Sequence, residues 1–175
     1  MHAGLFAVFL VALVGAVWWV SSARQGDFLT LAEQGTEAMR AQVVSEPSAG
    51  REHVPGSIDY DHRFPLSGTH NPTWVEPGVY DTRQPTEKLV HALEHGNIVI
   101  YYDEPGAEIM DRLREWAGLY DNQWSGFVVT PAVGLGEQIV LSAWTKRLAL
   151  DEFAAAPAAA FSDAYRGRGP ENPVR

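Results

Sequence analysis

Apolar and polar residues along the chain predict short helices that alternate with short strands. Residues 86–95 have the spacing of an amphipathic helix and lead directly into residues 98–102, a run of β-branched and aromatic residues typical of a buried strand. Gly96 and Asn97 lie between the two and end the helix. The same patterns predict strands at 127–129, 138–144 and 147–150 and helices at 107–119 and 152–165. We therefore predict an α+β fold with a small sheet of three or four strands and flanking helices.

An uncharged apolar run, from residue 4 to residue 20, precedes these elements. As a helix it would be roughly 25 Å long, close to the ~30 Å hydrocarbon core of a bilayer. A cleaved signal segment would use Ser21 and Ala23 as the small residues at its cleavage site, whereas an uncleaved anchor would place Trp18 and Trp19 at the membrane interface. We favour one N-terminal transmembrane helix in the inner membrane, with the globular domain on the periplasmic or extracytoplasmic side.

The composition divides the chain into four segments. Residues 1–23 are the predicted anchor or signal segment, and residues 24–50 are predicted to form a membrane-proximal helix and a linker. The globular domain is expected over residues 51–168, followed by a polar tail at 169–175. The domain opens with an irregular stretch, residues 51–84, that is rich in Pro, Gly and Asp. A loop region this long is uncommon in a compact domain unless it has a function.

Charge and cysteine content exclude several kinds of site. The formal net charge is −9 and no stripe of basic residues is present, which argues against nucleic acid as a partner. The chain contains no cysteine, so disulfides, thiol nucleophiles and thiolate metal ligands are absent. Any metal site must therefore use nitrogen, oxygen or thioether ligands.

The helix at 86–95 carries the most suggestive chemistry. His91 and His95 are four residues apart, so both imidazoles leave one face of the helix, as two metal ligands would. With Glu94 they form His-x-x-Glu-His, the pattern of inverted zincins, but no acidic ligand is evident downstream and we do not predict a protease. Two structural interpretations remain open, since His95 could cap the helix and His91 could be a core histidine.

Further histidines in the loop region favour a metal site. His53 precedes a Val-Pro-Gly turn and His70 follows Ser67-Gly68-Thr69, so turns hold both residues. Four imidazole ligands suit a transition metal such as Cu or Zn better than Ca or Mg. We predict His70, His91 and His95 as ligands and His53 as the fourth. Glu94 is predicted either to orient these ligands or to replace one of them, whereas His62 is predicted to be a solvated loop residue.

Four stretches of the sequence resemble one bacterial family. They are Thr69-His70, Gly78-Val79-Tyr80, Val90-His91-Ala92-Leu93-Glu94-His95-Gly96 and Ala143-Trp144. They resemble the DUF3105 family, a domain of unknown function, over about residues 50–168. The family pattern has a Ser-Gly-x-His turn, a Gly-x-Tyr and then Val-His-x-Leu-Glu-His-Gly. This chain departs from it at Phe64-Pro65-Leu66, where the family usually has a Pro-Pro pair.

The resemblance implies that His70, His91, Glu94 and His95 act as one functional unit, and it implies no particular activity. Members of the family often carry an N-terminal membrane segment.

We interpret the protein as a membrane-anchored domain with a transition-metal site and no complete catalytic set. One alternative is an accessory subunit of a larger bacterial membrane complex, respiratory or photosynthetic, in which the histidines are structural. A second alternative is a metal-dependent hydrolase.

Overall fold

The computed structural model describes the backbone of residues 3–175 and the side chains of residues 19–175. Helices and strands alternate along this part of the chain. The helices are α1 (Ala3–Gln42), α2 (Thr86–His95), α3 (Gly106–Leu119) and α4 (Ala155–Tyr165). The strands are β1 (Val44–Ser45), β2 (Gly78–Val79), β3 (Ile98–Tyr102), β4 (Phe127–Pro131), β5 (Ile139–Ala143) and β6 (Lys146–Leu150).

All six strands belong to one mixed sheet in the order β1-β6-β5-β3-β4-β2. β3 lies inside the sheet, parallel to β4 and antiparallel to β5. Every residue of β3 is buried, as its continuous apolar sequence predicts. Neighbouring strands thus fix both edges of β3, and β3 in turn fixes the C-terminal end of α2, which directly precedes it.

The predicted sheet of three or four strands is wrong, because the sheet of the described residues has six. The predicted strands are present, and the two additional ones are two-residue strands at the edges. β1 pairs antiparallel with β6, and β2 pairs parallel with β4. A strand of two residues shows no alternation of apolar and polar positions, so its partner strand rather than its own sequence determines it.

Within the part of the chain that the structure describes, no helix is both long enough and apolar enough to span a bilayer. The predicted anchor at residues 4–20 lies outside the described side chains, except for Trp19 and Val20.

One face of the sheet is covered by α1, α3 and α4. The segment predicted as a membrane-proximal helix and linker, residues 24–50, is helical to Gln42, and its Phe28, Ala32 and Met39 are buried in this core. Phe28 packs edge-on against Trp116 of α3, with ring centroids 5.2 Å apart. This face supplies the larger of the two apolar clusters and is remote from the histidines of α2.

The opposite face of the sheet carries α2. Leu89 and Leu93 of this helix pack with Val99, Tyr101 and Val128, whose side chains alternate with those facing the other core. α2 ends where Gly96 takes a φ of 96°, a left-handed conformation that favours glycine. The final turn of α2, which contains Glu94 and His95, is therefore held between the sheet and a fixed chain reversal.

Two glycines of α1 test how closely this helix packs. A Cβ at Gly35 would overlap the backbone carbonyl of Ala156 in α4, whereas a Cβ at Gly26 would meet nothing within 4 Å. We expect Gly35→Ala to lower the free energy of unfolding by about 1–3 kcal/mol, because the two helices must move apart. Gly26→Ala in the same helix is the matched control and should raise it by about 0.5–1 kcal/mol through helix propensity. Equal stabilisation of both variants in urea denaturation would contradict the packing of α1 on α4.

Candidate metal centre

Two loop histidines are brought side by side by backbone pairing. His53 and His70 form an isolated parallel bridge, in which the Val54 N–H donates to the His70 carbonyl at 2.8 Å and the His70 N–H donates to the Glu52 carbonyl at 2.8 Å. Their ring centroids lie 4.6 Å apart. The loop region of the sequence is thus ordered around these two residues.

Both loop histidines reach the same carboxylate on α2. Nε2 of His70 lies 3.0 Å and Nε2 of His53 lies 3.2 Å from Oε2 of Glu94. The side chains of His70 and Glu94 are 0% and 3% exposed, and that of His53 is 43% exposed. The contact between His70 and Glu94 is therefore buried, whereas the contact between His53 and Glu94 is open to solvent on the side of His53.

The structure divides the predicted site residues into two overlapping groups. His53, His70, His91 and Glu94 each place one ligand atom within 4.8 Å of the others, and we call this set the first group. His95 belongs instead to a second group, with His91 and Glu171. His62, predicted as a solvated loop residue, belongs to neither group and is exposed. His91 is the residue that the two groups share.

Glu171 was not among the predicted site residues, since it lies in the segment treated as a polar tail. Its Oε2 lies 3.1 Å from Nε2 of His95 and 3.6 Å from Nε2 of His91. The side chain is 38% exposed, while both histidines are almost fully buried. A single glutamate near the end of the sequence carries no periodic or motif signal, so its role depends on the tertiary fold.

The C-terminal segment is bonded to the last turn of α2. The Gly167 N–H donates to the Gly96 carbonyl at 2.8 Å, and the Glu171 N–H donates to the Glu94 carbonyl at 3.3 Å. A Cβ at Gly169 would overlap the Glu94 carbonyl and the Gly96 backbone nitrogen, so only glycine permits this close approach. These contacts place the carboxylate of Glu171 opposite His95.

Hydrogen bonds to backbone carbonyls assign the ring protons of two histidines. Nδ1 of His70 lies 2.8 Å from the Gly68 carbonyl, and Nδ1 of His91 lies 2.7 Å from the Asn71 carbonyl. A carbonyl only accepts, so both Nδ1 atoms carry a proton, and Nε2 is the nitrogen that holds the lone pair in the neutral form of each ring. Metal-bound histidines usually have this arrangement, with the second ring N–H donated to a carbonyl or carboxylate.

Burial keeps the two helical histidines neutral. It lowers the pKa of His91 below its ordinary value; the Asn71 carbonyl opposes this shift, and the neighbouring histidines add to it. Burial also lowers the pKa of His95, against the opposing effect of the Glu171 carboxylate. Because a metal binds only the unprotonated nitrogen, both rings are prepared to act as ligands near neutral pH.

Two tryptophans enclose His95. The ring centroids of Trp74 and Trp124 lie 4.5 and 4.2 Å from that of His95. Trp74 also lies near His91, with ring centroids 5.5 Å apart, so it lies beside both helical histidines. The sequence does not indicate that Trp124 lies near the histidines, because a tertiary contact positions its loop. In this contact the side chain of Asn97 donates to the Gln123 carbonyl at 2.9 Å.

The donor atoms and their spacing fit a transition metal. Bonds of about 2.0–2.2 Å place tetrahedral ligand atoms roughly 3.3–3.6 Å apart, and the contacts of His53 and His70 to Glu94 are only slightly shorter, at 3.2 and 3.0 Å. Imidazole nitrogens with one or two carboxylates suit Zn, Cu, Ni or Fe. The His/Glu cluster could therefore hold a metal ion.

Comparison with known proteins identifies the family. The family model described as "Protein of unknown function (DUF3105)" matches residues 53–175. The chain belongs to the DUF3105 family. This confirms the predicted resemblance and extends it through Glu171. No curated protein and no solved structure is detectably similar to this DUF3105 chain.

The lowered pKa values of His91 and His95 predict how the stability of the metal-free protein depends on pH. As the pH falls below 6.5, the ordinary value for histidine, the unfolded chain takes up protons that the two folded rings resist. Stability therefore falls with falling pH through this region, until the folded rings are protonated as well. In EDTA, we expect His91→Asn or His95→Asn to flatten this slope by at most about 1.4 kcal/mol per pH unit.

The measurement is urea denaturation between about pH 5.5 and 7.5, where histidine is the side chain that titrates. His62→Asn removes an exposed histidine outside both groups and serves as the control. The slope, rather than the absolute stability, is the quantity compared, because either buried substitution could also weaken packing. A slope unchanged in both buried variants would contradict the assignment of neutral, proton-resisting rings.

Proposed function

We propose that this DUF3105 domain is a metal-binding module that holds a first-row transition ion, Zn or Cu, at the first group. His53, His70 and Glu94 are the ligands, and His91 is close enough to complete a four-coordinate site. The observation that carries this proposal is the contact between His70 and Glu94, at 3.0 Å.

That contact is not satisfied by the two side chains alone. The proton of a neutral His70 is on Nδ1, at the Gly68 carbonyl, so its Nε2 and the Glu94 carboxylate would face one another as two acceptors. His53 brings a further nitrogen to the same oxygen. A cation between these atoms removes the repulsion and binds all three.

The position of Glu94 on α2 strengthens the need for a cation. The carboxylate is one residue from the C-terminal end of the helix, where the helix dipole is negative and disfavours an anion. It is also buried, and an uncompensated buried charge is strongly unfavourable. A bound dication would offset both effects.

The competing interpretation is an ion pair without metal, in which His70 is protonated on both nitrogens and Glu94 is its counter-ion. That arrangement would make the histidines structural, as in the alternative of an accessory subunit. Attachment to the inner membrane, an extracytoplasmic location and a larger membrane complex as partner stay predictions from the sequence alone.

Glu94→Gln distinguishes the two interpretations. If the site is built for metal, the variant should bind Zn²⁺ or Cu²⁺ at least about 100-fold more weakly, since the anionic ligand is lost. Its metal-free stability should equal that of the wild type or exceed it by about 1 kcal/mol, because the new amide can donate to Nε2 of His70. An ion pair predicts instead a loss of about 3–5 kcal/mol when one partner is removed.

The experiment combines metal titration with urea denaturation in EDTA, using the full chain. Glu108→Gln removes an exposed carboxylate in the first turn of α3 and is the matched control: it should leave metal binding unchanged and lower stability by at most about 1 kcal/mol, through the lost interaction with the helix dipole. Wild-type protein that takes up no Zn²⁺ or Cu²⁺ after reconstitution would overturn the proposal. So would a large loss of metal-free stability in Glu94→Gln.

A further inference from the structure

We infer that the second group, His91, His95 and Glu171, is a second cation position, so that the centre holds two metal ions. The inference rests on the proposed function, since it adds an ion beside the one at the first group. The ligands then divide evenly, with His53, His70 and Glu94 on one ion and His91, His95 and Glu171 on the other.

The geometry of His91 supports this division. Its Nδ1 donates to the Asn71 carbonyl at 2.7 Å, so Nε2 is the nitrogen left with a lone pair. Nε2 lies 3.6 Å from Oε2 of Glu171, a separation suited to two ligands of one ion. One nitrogen cannot bind two ions, so His91 either completes the first site or serves the second.

His95 brings a second buried histidine nitrogen to the carboxylate of Glu171. Its Nε2 faces the carboxylate of Glu171 at 3.1 Å, and among the described residues its buried Nδ1 makes no hydrogen bond of normal geometry. Nε2 of His95 and Oε2 of Glu171 therefore lie close enough to bind one ion, with Nε2 of His91 as the third ligand.

Charge balance permits two ions in this space. Each position has two imidazoles and one carboxylate, so each dication is partly neutralised by its own glutamate. The chain as a whole carries a formal charge of −9, which favours the accumulation of cations. The ring centroids of His91 and His95 are 4.8 Å apart and those of His70 and His91 are 4.9 Å apart, so the two positions are neighbours that share one wall.

The test is the number of Zn²⁺ ions bound by the full chain and by variants of each position. We expect two equivalents for the wild type and one for Glu171→Gln or His95→Asn. Glu171→Gln is the more informative, because the side chain is partly exposed and its removal should leave the fold intact. The Glu108→Gln control on α3 should keep both equivalents. Two Cu²⁺ ions at neighbouring positions should also give a dipole-coupled electron paramagnetic resonance spectrum, and Glu171→Gln should convert it to that of an isolated ion.

Other outcomes overturn the second position in separable ways. A single equivalent that Glu171→Gln and His95→Asn leave unchanged would refute the second position while supporting the first. A single equivalent lost in both Glu94→Gln and Glu171→Gln would show one ion bound between the groups and would refute the division of ligands. No bound Zn²⁺ in the wild type would refute the second position together with the proposed function.

Discussion

The burial of a carboxylate at the end of α2 is the constraint on which the rest of the site depends. Glu94 is almost fully removed from water, lies in the last turn of its helix, and contacts two histidine nitrogens at 3.0 and 3.2 Å. Such a group is stable only with a positive charge beside it. The loop that contains His53 and His70 is accordingly folded back onto the helix, with its backbone carbonyls fixing the ring protons. The irregular loop region thus meets the end of α2 through contacts of two histidines with one buried carboxylate.

Two segments far from α2 in the sequence converge on that helix end, and backbone contacts hold both segments and the helix. The parallel bridge of His53 and His70 fixes the position of the loop segment, and the sheet fixes the position of α2. The C-terminal segment is set by the bond from Gly167 to Gly96 and by the absence of a side chain at Gly169. Ligands held by backbone pairing lose little conformational freedom on binding, so the proposed centre would be preorganised for an ion.

The sequence predicted the parts of this arrangement that depend on local pattern. Helix α2, its termination at Gly96 and the buried strand β3 follow from apolar periodicity and turn chemistry, and the spacing of His91 and His95 follows from the helix itself. The edge strands β1 and β2 could not be predicted, because a two-residue strand is defined by its partner. The division of the histidines could not be predicted either. His91 and His95, one turn apart on α2, both face Glu171 from the C-terminal segment, whereas the loop histidines face Glu94. Only the tertiary fold decides which carboxylate each histidine meets.

The number of ligands per ion decides what kind of chemistry the centre can support. One ion with His53, His70, His91 and Glu94 would have four protein ligands, the closed arrangement of structural metal sites. Two ions that divide six ligands would have three each, which leaves a coordination position free on both, as in catalytic sites. His91 determines the number of ligands at each position, since its single available nitrogen can serve either one. The partly exposed side chains of His53 and Glu171 place one solvent-accessible ligand at each position, so each would be reachable from water. An open coordination position at the first group would therefore require that His91 leave that ion and serve the second position.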